Sequence, residues 1–333
     1  SRVSGMLSAL VLISTPLTFT EGSTLHVEGV WAAFLCGGSF LLLRLMFLGR
    51  VGSNQLILAG LLLGFALSTK LLTAIMLLPI GLATLINWRA LVWARRVHVF
   101  FYAVGILFLF GMVPYVEALC RTGNPIFPFY NSFFKSPLYP MEDFRDLRWH
   151  AGIGWDLLGQ ITFESQKFLE ATAGAPGFQW VILLIPAALM SIYAKNIRVI
   201  IIALIAISFI GMTLVLTSYL RYIYPGLAML APLIVMPLEE VPIKKWSCLR
   251  NLYGLALMIA AGLNIIFLNA ASWYGDFKIN MLIDPDVRSA YIDSQIAGRA
   301  AVDLVNTINT EKLPVALIGS TVAAGLESDA LFA

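Results

Sequence analysis

Apolar residues run along this chain in long blocks separated by short polar breaks. Nine blocks read as membrane-spanning helices: Met6–Thr20, Val27–Leu48, Gln55–Thr69, Leu71–Ile86, Val97–Leu119, Phe178–Ala194, Val199–Thr217, Tyr222–Leu238 and Leu252–Ala271. A spanning helix needs about 20 apolar residues to cross about 30 Å of hydrocarbon. The stretch from Gln55 to Asn87 is interrupted only by Lys70. As a single helix it would be about 50 Å long, more than a bilayer accommodates without extreme tilt. The pattern therefore predicts two short helices meeting at Lys70.

The placement of basic residues supports that division, because cytoplasmic loops carry an excess of Lys and Arg. With two helices there, Arg2, Arg44, Arg50, Arg89, Arg95, Arg96, Lys195, Arg198, Lys244, Lys245 and Arg250 all fall on one side. With one helix, the cluster from Arg89 to Arg96 would move to the face opposite Arg44 and Arg50. Eleven of the 22 basic residues then lie inside with two of the 19 acidic ones, Glu239 and Glu240. The other eleven basic and 17 acidic residues lie outside. The expected fold is an all-α polytopic membrane protein of about nine transmembrane helices, N-terminus inside and C-terminus outside.

Two outside regions are long. Within the insertion 120–177, Trp155, Leu158, Ile161, Phe168 and Leu169 recur near helical spacing, with Asp156, Gln160, Glu164 and Lys167 between them. That pattern predicts a helix lying in the membrane interface. The transmembrane core is thus 1–272, and residues 273–333 read as a soluble tail. There, Ala297, Ala301, Leu304, Val305 and Ile308 repeat like one helix face, Leu313–Ile318 reads as a buried strand, and Gly319–Ser320 introduces a further helix. The tail is expected to begin a small α/β domain.

Composition carries the same message from another side. The 333 residues are 59% hydrophobic and 12% charged, with a mean hydropathy of +0.84. Soluble chains run near 45–50% apolar and about 25% charged. This excludes a cytosolic enzyme, a secreted disulfide scaffold and a nucleic-acid-binding domain. A net charge of +3 is too small to argue for a polyanionic partner. Cys36, Cys120 and Cys248 lie far apart with no metal-binding spacing. The chain begins at Ser1 inside an apolar stretch, without the charged region and cleavage site of a signal peptide, and both ends read as cut.

Ionisable groups at membrane depth are costly, so each is a functional candidate. Glu28 opens the second span, where a carboxylate acts as a base, holds a cation, or simply favours a helix start. Lys70 sits between two apolar helices at the outer face, suited to a lipid phosphate or to snorkelling. Arg221 tops another span between Tyr219 and Tyr222, a set that suits a phosphate or sugar; the aromatic belt alone also explains tyrosines at this depth. Three spans thus send a charged group to one face. The segment Arg121–Asn131 (RTGNPIFPFYN) combines Gly123 and two prolines with Phe127, Phe129 and Tyr130. It reads either as the wall of a groove for a polyprenyl chain or sugar, or as a rigid exit turn. Glu117 lies near the outer end of its span. His26, His98 and His150 lie in different segments and do not make a histidine metal site, and Asp284-Pro285-Asp286 reads as a turn. The turn at Gly319–Ser320 lacks the glycine-rich continuation of a phosphate cradle.

Four segments together resemble bacterial members of the GT-C superfamily of membrane glycosyltransferases, the group that holds protein O-mannosyltransferases and lipid A aminoarabinose transferases. Thr15-Pro16 before the Val27-Glu28 helix start is similar to the family's proline-containing span and second acidic position, usually aspartate. Gly60–Lys70 (GLLLGFALSTK) is similar to its glycine-rich span ending in lysine. Arg121–Asn131 is similar to the TGNPxFPF loop, and Arg221–Pro232 (RYIYPGLAMLAP) to the RYxxPxxP segment. The resemblance implies inverting transfer of a sugar from a polyprenyl-phosphate donor to a lipid, glycan or protein acceptor on the extracytoplasmic face of a bacterial inner membrane. It implies that an acidic residue in the first external loop acts as base while basic residues hold the donor phosphate. That loop and about two spans are expected upstream of Ser1. On this reading Glu28 is the catalytic candidate, and Lys70, Arg121, Asn124, Tyr219, Arg221 and Tyr222 bind substrate. Beyond donor, acceptor and bilayer no nucleic-acid partner is expected; no cofactor is called for, with a divalent metal left open. The alternatives are a transporter or flippase of lipid-linked saccharides, which tends to show repeats and midplane charges, and a non-catalytic scaffold retaining the fold.

Overall fold

The computed structural model describes all residues except 1, 25, 49–51, 94–95, 145–148, 150–151, 153, 170, 241–242, 272–278, 297, 319–322, 324 and 333. The chain forms two compact units, Ser1–Trp273 and Tyr274–Ala333. In the first unit the helices are α1 (Arg2–Ile13), α2 (Pro16–Ser23), α3 (Glu28–Leu48), α4 (Ser53–Thr69), α5 (Thr73–Ile86), α6 (Trp88–Trp93), α7 (Val97–Gly111) and α8 (Val113–Thr122). They continue with α9 (Asn131–Phe134), α10 (Leu157–Phe163), α11 (Gln179–Tyr193), α12 (Ile197–Leu216), α13 (Tyr224–Val235), α14 (Pro237–Glu240) and α15 (Ile243–Ile266). Among the described residues, three helical stretches are long and apolar enough to cross a membrane: Ile197–Leu216, Leu220–Glu239 and Cys248–Ile266. The number is five if each of two bent helix pairs is one span.

The breaks have local causes. α1 and α2 meet at 76°, where Pro16 has no N–H to offer Leu12 and so ends the helical ladder. Thr15 then caps α2, its Oγ1 accepting from the Thr18 amide at 3.3 Å. α7 and α8 meet at 41° beside Pro114, for the same reason. The single span Val97–Leu119 is therefore two helical pieces. At Lys70 the backbone is extended (φ −150°, ψ 132°), and α4 and α5 are separate helices, as the length argument requires.

Close packing of the membrane unit depends on small residues along α4. A Cβ at Gly60 would fall 2.2 Å from the Ala103 carbonyl oxygen, and one at Gly64 would fall 2.9 Å from that of Leu107. With Gly111 opposite Leu67, these residues form a small-xxx-small seam between α4 and α7. On its other side α4 meets Gly38 of α3, where a Cβ would lie 2.6 Å from Leu63. The buried core centres on Trp31, Leu35, Phe209 and α13, with many outward aliphatic side chains left exposed, the inversion expected of a surface that meets lipid.

Two expectations for the outer regions change. The amphipathic pattern near residue 160 forms a seven-residue helix, α10, followed by a 3-10 turn, Ser165–Lys167. The Ser165 hydroxyl bonds back to the Ile161 and Thr162 carbonyls and so competes with the helical ladder. Ile161, Phe168 and Leu169 are buried, while Trp155 is fully exposed. In the second unit, α16 (Pro285–Gln295) and α17 (Arg299–Ile308) precede two short strands, β1 (Val315–Leu317) and β2 (Ala330–Phe332), which pair in parallel. β1 is only partly covered, and Leu304 and Ile308 face solvent, so neither the buried strand nor the apolar helix face is packed there. Asp284 caps α16 by accepting from the Asp286 and Val287 amides, a helix start in place of the expected turn. The turn at Gly319–Ser320 and Ala297 lie outside the described residues.

Candidate functional site

Three of the candidate groups meet around one carboxylate. Glu28 is the first residue of α3, Lys70 occupies the break between α4 and α5, and Arg221 lies in a 3-10 turn, Leu220–Ile223, that leads into α13. Lys70 Nζ donates to Glu28 Oε1 at 2.5 Å, and Arg221 Nε stands 3.2 Å from the same oxygen. The Glu28 side chain is 3% exposed, against 16% and 20% for the two cations. A buried carboxylate with two adjacent cations avoids most of the cost of burying a lone charge.

Aromatic rings complete the cation cage. Lys70 Nζ sits 3.7 Å above the centroid of Tyr222 and 5.4 Å from that of Trp31. The Arg221 guanidinium lies 4.4 Å above Tyr219, and Trp149 stacks on the same tyrosine at 5.3 Å and 5°. The turn bearing these residues is tied down by backbone bonds from Ser218 to the Trp149 carbonyl and from Leu220 to the Phe168 carbonyl. Trp31 itself is fixed by a relay: its Nε1 donates to Thr73 Oγ1 at 2.7 Å, which donates to the Ala66 carbonyl at 2.8 Å. This chain of bonds locks the start of α3 against the end of α4 and the start of α5. In the break, outside either helix, burial pulls the Lys70 ammonium below its ordinary pKa, and the Glu28 carboxylate acts in the opposite sense.

Arg121 and Asn124 take other positions. Arg121 is 76% exposed and pairs with Glu117 on its own helix at 2.7 Å. Asn124 is fully buried, yet its amide serves its own loop: Nδ2 donates to the Phe129 carbonyl at 2.9 Å, and Oδ1 accepts from the Ile126 amide at 3.0 Å. Asn131, also fully buried, directs Nδ2 at the Ser136, Tyr139 and Pro140 carbonyls. These contacts tie Arg121–Asn131 to the residues that follow it, up to Pro140. The Asn124 amide is thus engaged within its own loop, away from the Glu28 group.

A fourth charged residue joins the cluster. Glu21, in the last turn of α2, is 5% exposed, and neither carboxylate oxygen has a hydrogen-bond partner. His26 Nδ1 lies 3.6 Å from its Oε1. Glu21, His26 and Glu28 place one ligand atom each within 4.8 Å of one another. Comparing histidines only with each other missed this set, because His26 is paired with carboxylates. The available signal was the spacing Glu21-x4-His26-x-Glu28 across one short connection. Two carboxylates, two cations, an imidazole and stacked aromatics at one place can hold an anion, a cation and a flat polar ring together. No family model, curated protein or solved structure matches the chain.

Proposed function

We propose that the protein is a glycosyltransferase that takes a sugar from a polyprenyl-phosphate donor and delivers it to an envelope acceptor outside the membrane. The observation that carries this reading is the meeting of Glu28, Lys70 and Arg221, which reach one point from helices distant in the chain. The topology belongs to the proposal: nine crossings, with the N-terminal end cytoplasmic and the C-terminal unit extracytoplasmic, in a bacterial inner membrane. Each of the nine apolar blocks is largely helical, which supports it. The shorter helices of 14 to 17 residues are about 21–26 Å long, and local thinning of the bilayer accommodates them at modest cost.

In this reading Lys70 and Arg221 receive the donor phosphate. Lys70 has three N–H donors and gives one to Glu28, leaving two; Arg221 has five in a planar fork. The acceptor hydroxyl loses its proton to a carboxylate and attacks the anomeric carbon from the face opposite the phosphate. The bond from that carbon to the phosphate oxygen breaks, and polyprenyl phosphate leaves with the electron pair, its added charge stabilised by the two cations. Glu28 holds both cations in register and orients the acceptor or its base. Tyr219 and Tyr222 supply rings against which a sugar can lie.

Transfer from a radiolabelled polyprenyl-phosphate sugar, measured with the full-length protein in proteoliposomes, tests the reading. Glu28→Gln and Lys70→Ala should each lower the rate by about 100- to 1,000-fold while membrane insertion is unchanged. Wild-type rates in both variants would sink the site assignment. Movement of the labelled lipid between leaflets without any sugar transfer would identify a flippase instead.

A further inference from the structure

We propose that Glu21, His26 and Glu28 form a binding site for one divalent transition-metal ion, of the Zn2+ or Mn2+ class. The carrying observation is Glu21: a carboxylate 5% exposed, both oxygens without a hydrogen-bond partner, directed at a histidine and a second carboxylate. Buried polar atoms are almost always satisfied, so two orphan oxygens on one side chain call for a missing partner. The neighbouring protein cations do not fill that role. Lys70 and Arg221 form their ion pairs with Glu28, and both pairs run through Oε1, which leaves the second oxygen for another cation.

Distance and donor type point to the ion. Bonds of about 2.0–2.2 Å from Zn2+ to carboxylate oxygen and imidazole nitrogen place ligand atoms of a tetrahedral shell roughly 3.4 Å apart. The His26 to Glu21 separation is 3.6 Å, and the widest separation in the set is within 4.8 Å, near the spacing of such a shell. An imidazole beside two carboxylates suits zinc or manganese better than magnesium or calcium, which favour all-oxygen sets. Three protein ligands leave an open position.

Charge gives the site a purpose that rests on the transferase reading. Ionised Glu21 and Glu28 cancel Lys70 and Arg221, so the four groups sum to zero. One divalent ion raises that sum to two positive charges, a match for a phosphate group. An ion there would act as a Lewis-acid clamp on phosphate oxygen.

Metal content separates the two ideas. Full-length protein in nanodiscs, stripped with EDTA, is re-equilibrated with Zn2+ or Mn2+ alone, and bound metal is counted by mass spectrometry while calorimetry gives the affinity. About one ion per chain is expected, with affinity falling at least tenfold in Glu21→Gln and in His26→Gln, and unchanged in Glu164→Gln, an exposed control carboxylate. His26→Gln, on a partly exposed side chain, carries the test if Glu21→Gln fails to fold. Stripped wild-type protein that takes up no ion, or variants that bind like wild type, would overturn the metal site. Sugar transfer persisting in metal-free protein that takes up no ion would leave the transferase reading standing while removing the metal; metal binding without transfer would do the reverse.

Discussion

The Glu28 cluster and the Arg121–Asn131 turn are both polar, both rich in aromatic rings and both plausible from sequence as parts of a site, yet they use their polar atoms in opposite ways. In the turn, Asn124 and Asn131 engage their amides with backbone groups close by in the chain, within residues 124–140. In the cluster, Glu21 keeps two buried oxygens without hydrogen bonds. Saturation within a segment is the mark of a structural element, and a deficit held in place by surrounding packing marks a surface prepared for something else. The comparison teaches that burial of a polar residue is a weaker functional sign than what its hydrogen-bonding atoms are already doing.

The largest effect should separate the two regions by the quantity they change. Lys70→Ala is expected to remove transfer per folded molecule by two to three orders of magnitude, about 3–4 kcal/mol of transition-state stabilisation, beyond the stability lost when the buried Glu28 gives up one of its two cations. Next, Gly60→Ala drives a methyl group into the Ala103 carbonyl and should cost about 3 kcal/mol of stability through overpacking. Because α4 ends at Lys70, transfer should fall with it; calorimetric unfolding and rate measured together check this. Asn131→Ala leaves the carbonyls of Ser136, Tyr139 and Pro140 without their donor, costing about 2 kcal/mol, but transfer per folded molecule should stay within about twofold. A loss of transfer in Asn131→Ala matching that of Lys70→Ala would erase the distinction. Smallest of all, Arg121→Ala breaks an exposed helical ion pair and should shift stability by less than about 0.5 kcal/mol, with no change in transfer.

Much of the helical plan was legible from hydropathy, because burying a charge in lipid is so costly that Lys70 had to fall at a break. The same cost singled out Glu28 and Arg221, although nothing in the one-dimensional pattern says that their side chains touch. What escaped was set by geometry at single residues. The bends beside Pro16 and Pro114 lie inside apolar stretches whose composition is indifferent to them. The shortness of α10 follows from one serine hydroxyl turning back on the helix. Glu21 was hidden because it lies one residue past the apparent end of a span, and the 76° angle between α1 and α2 is not written in the hydropathy. The turn residues were visible as unusual, but the donors and acceptors that engage them lie within residues 124–140, so only the folded path shows which groups they meet.

The aromatic seat of Lys70 has a consequence for timing. A lysine side chain that swings freely gives up about 2 kcal/mol of rotamer entropy when it is immobilised. Here the ammonium is already confined between the Glu28 oxygen and the face of Tyr222, 3.7 Å from its centroid. That ordering is settled when the chain folds. On the proposed function, a donor phosphate meets a cation already at rest, and its association need not wait for a search among side-chain conformers.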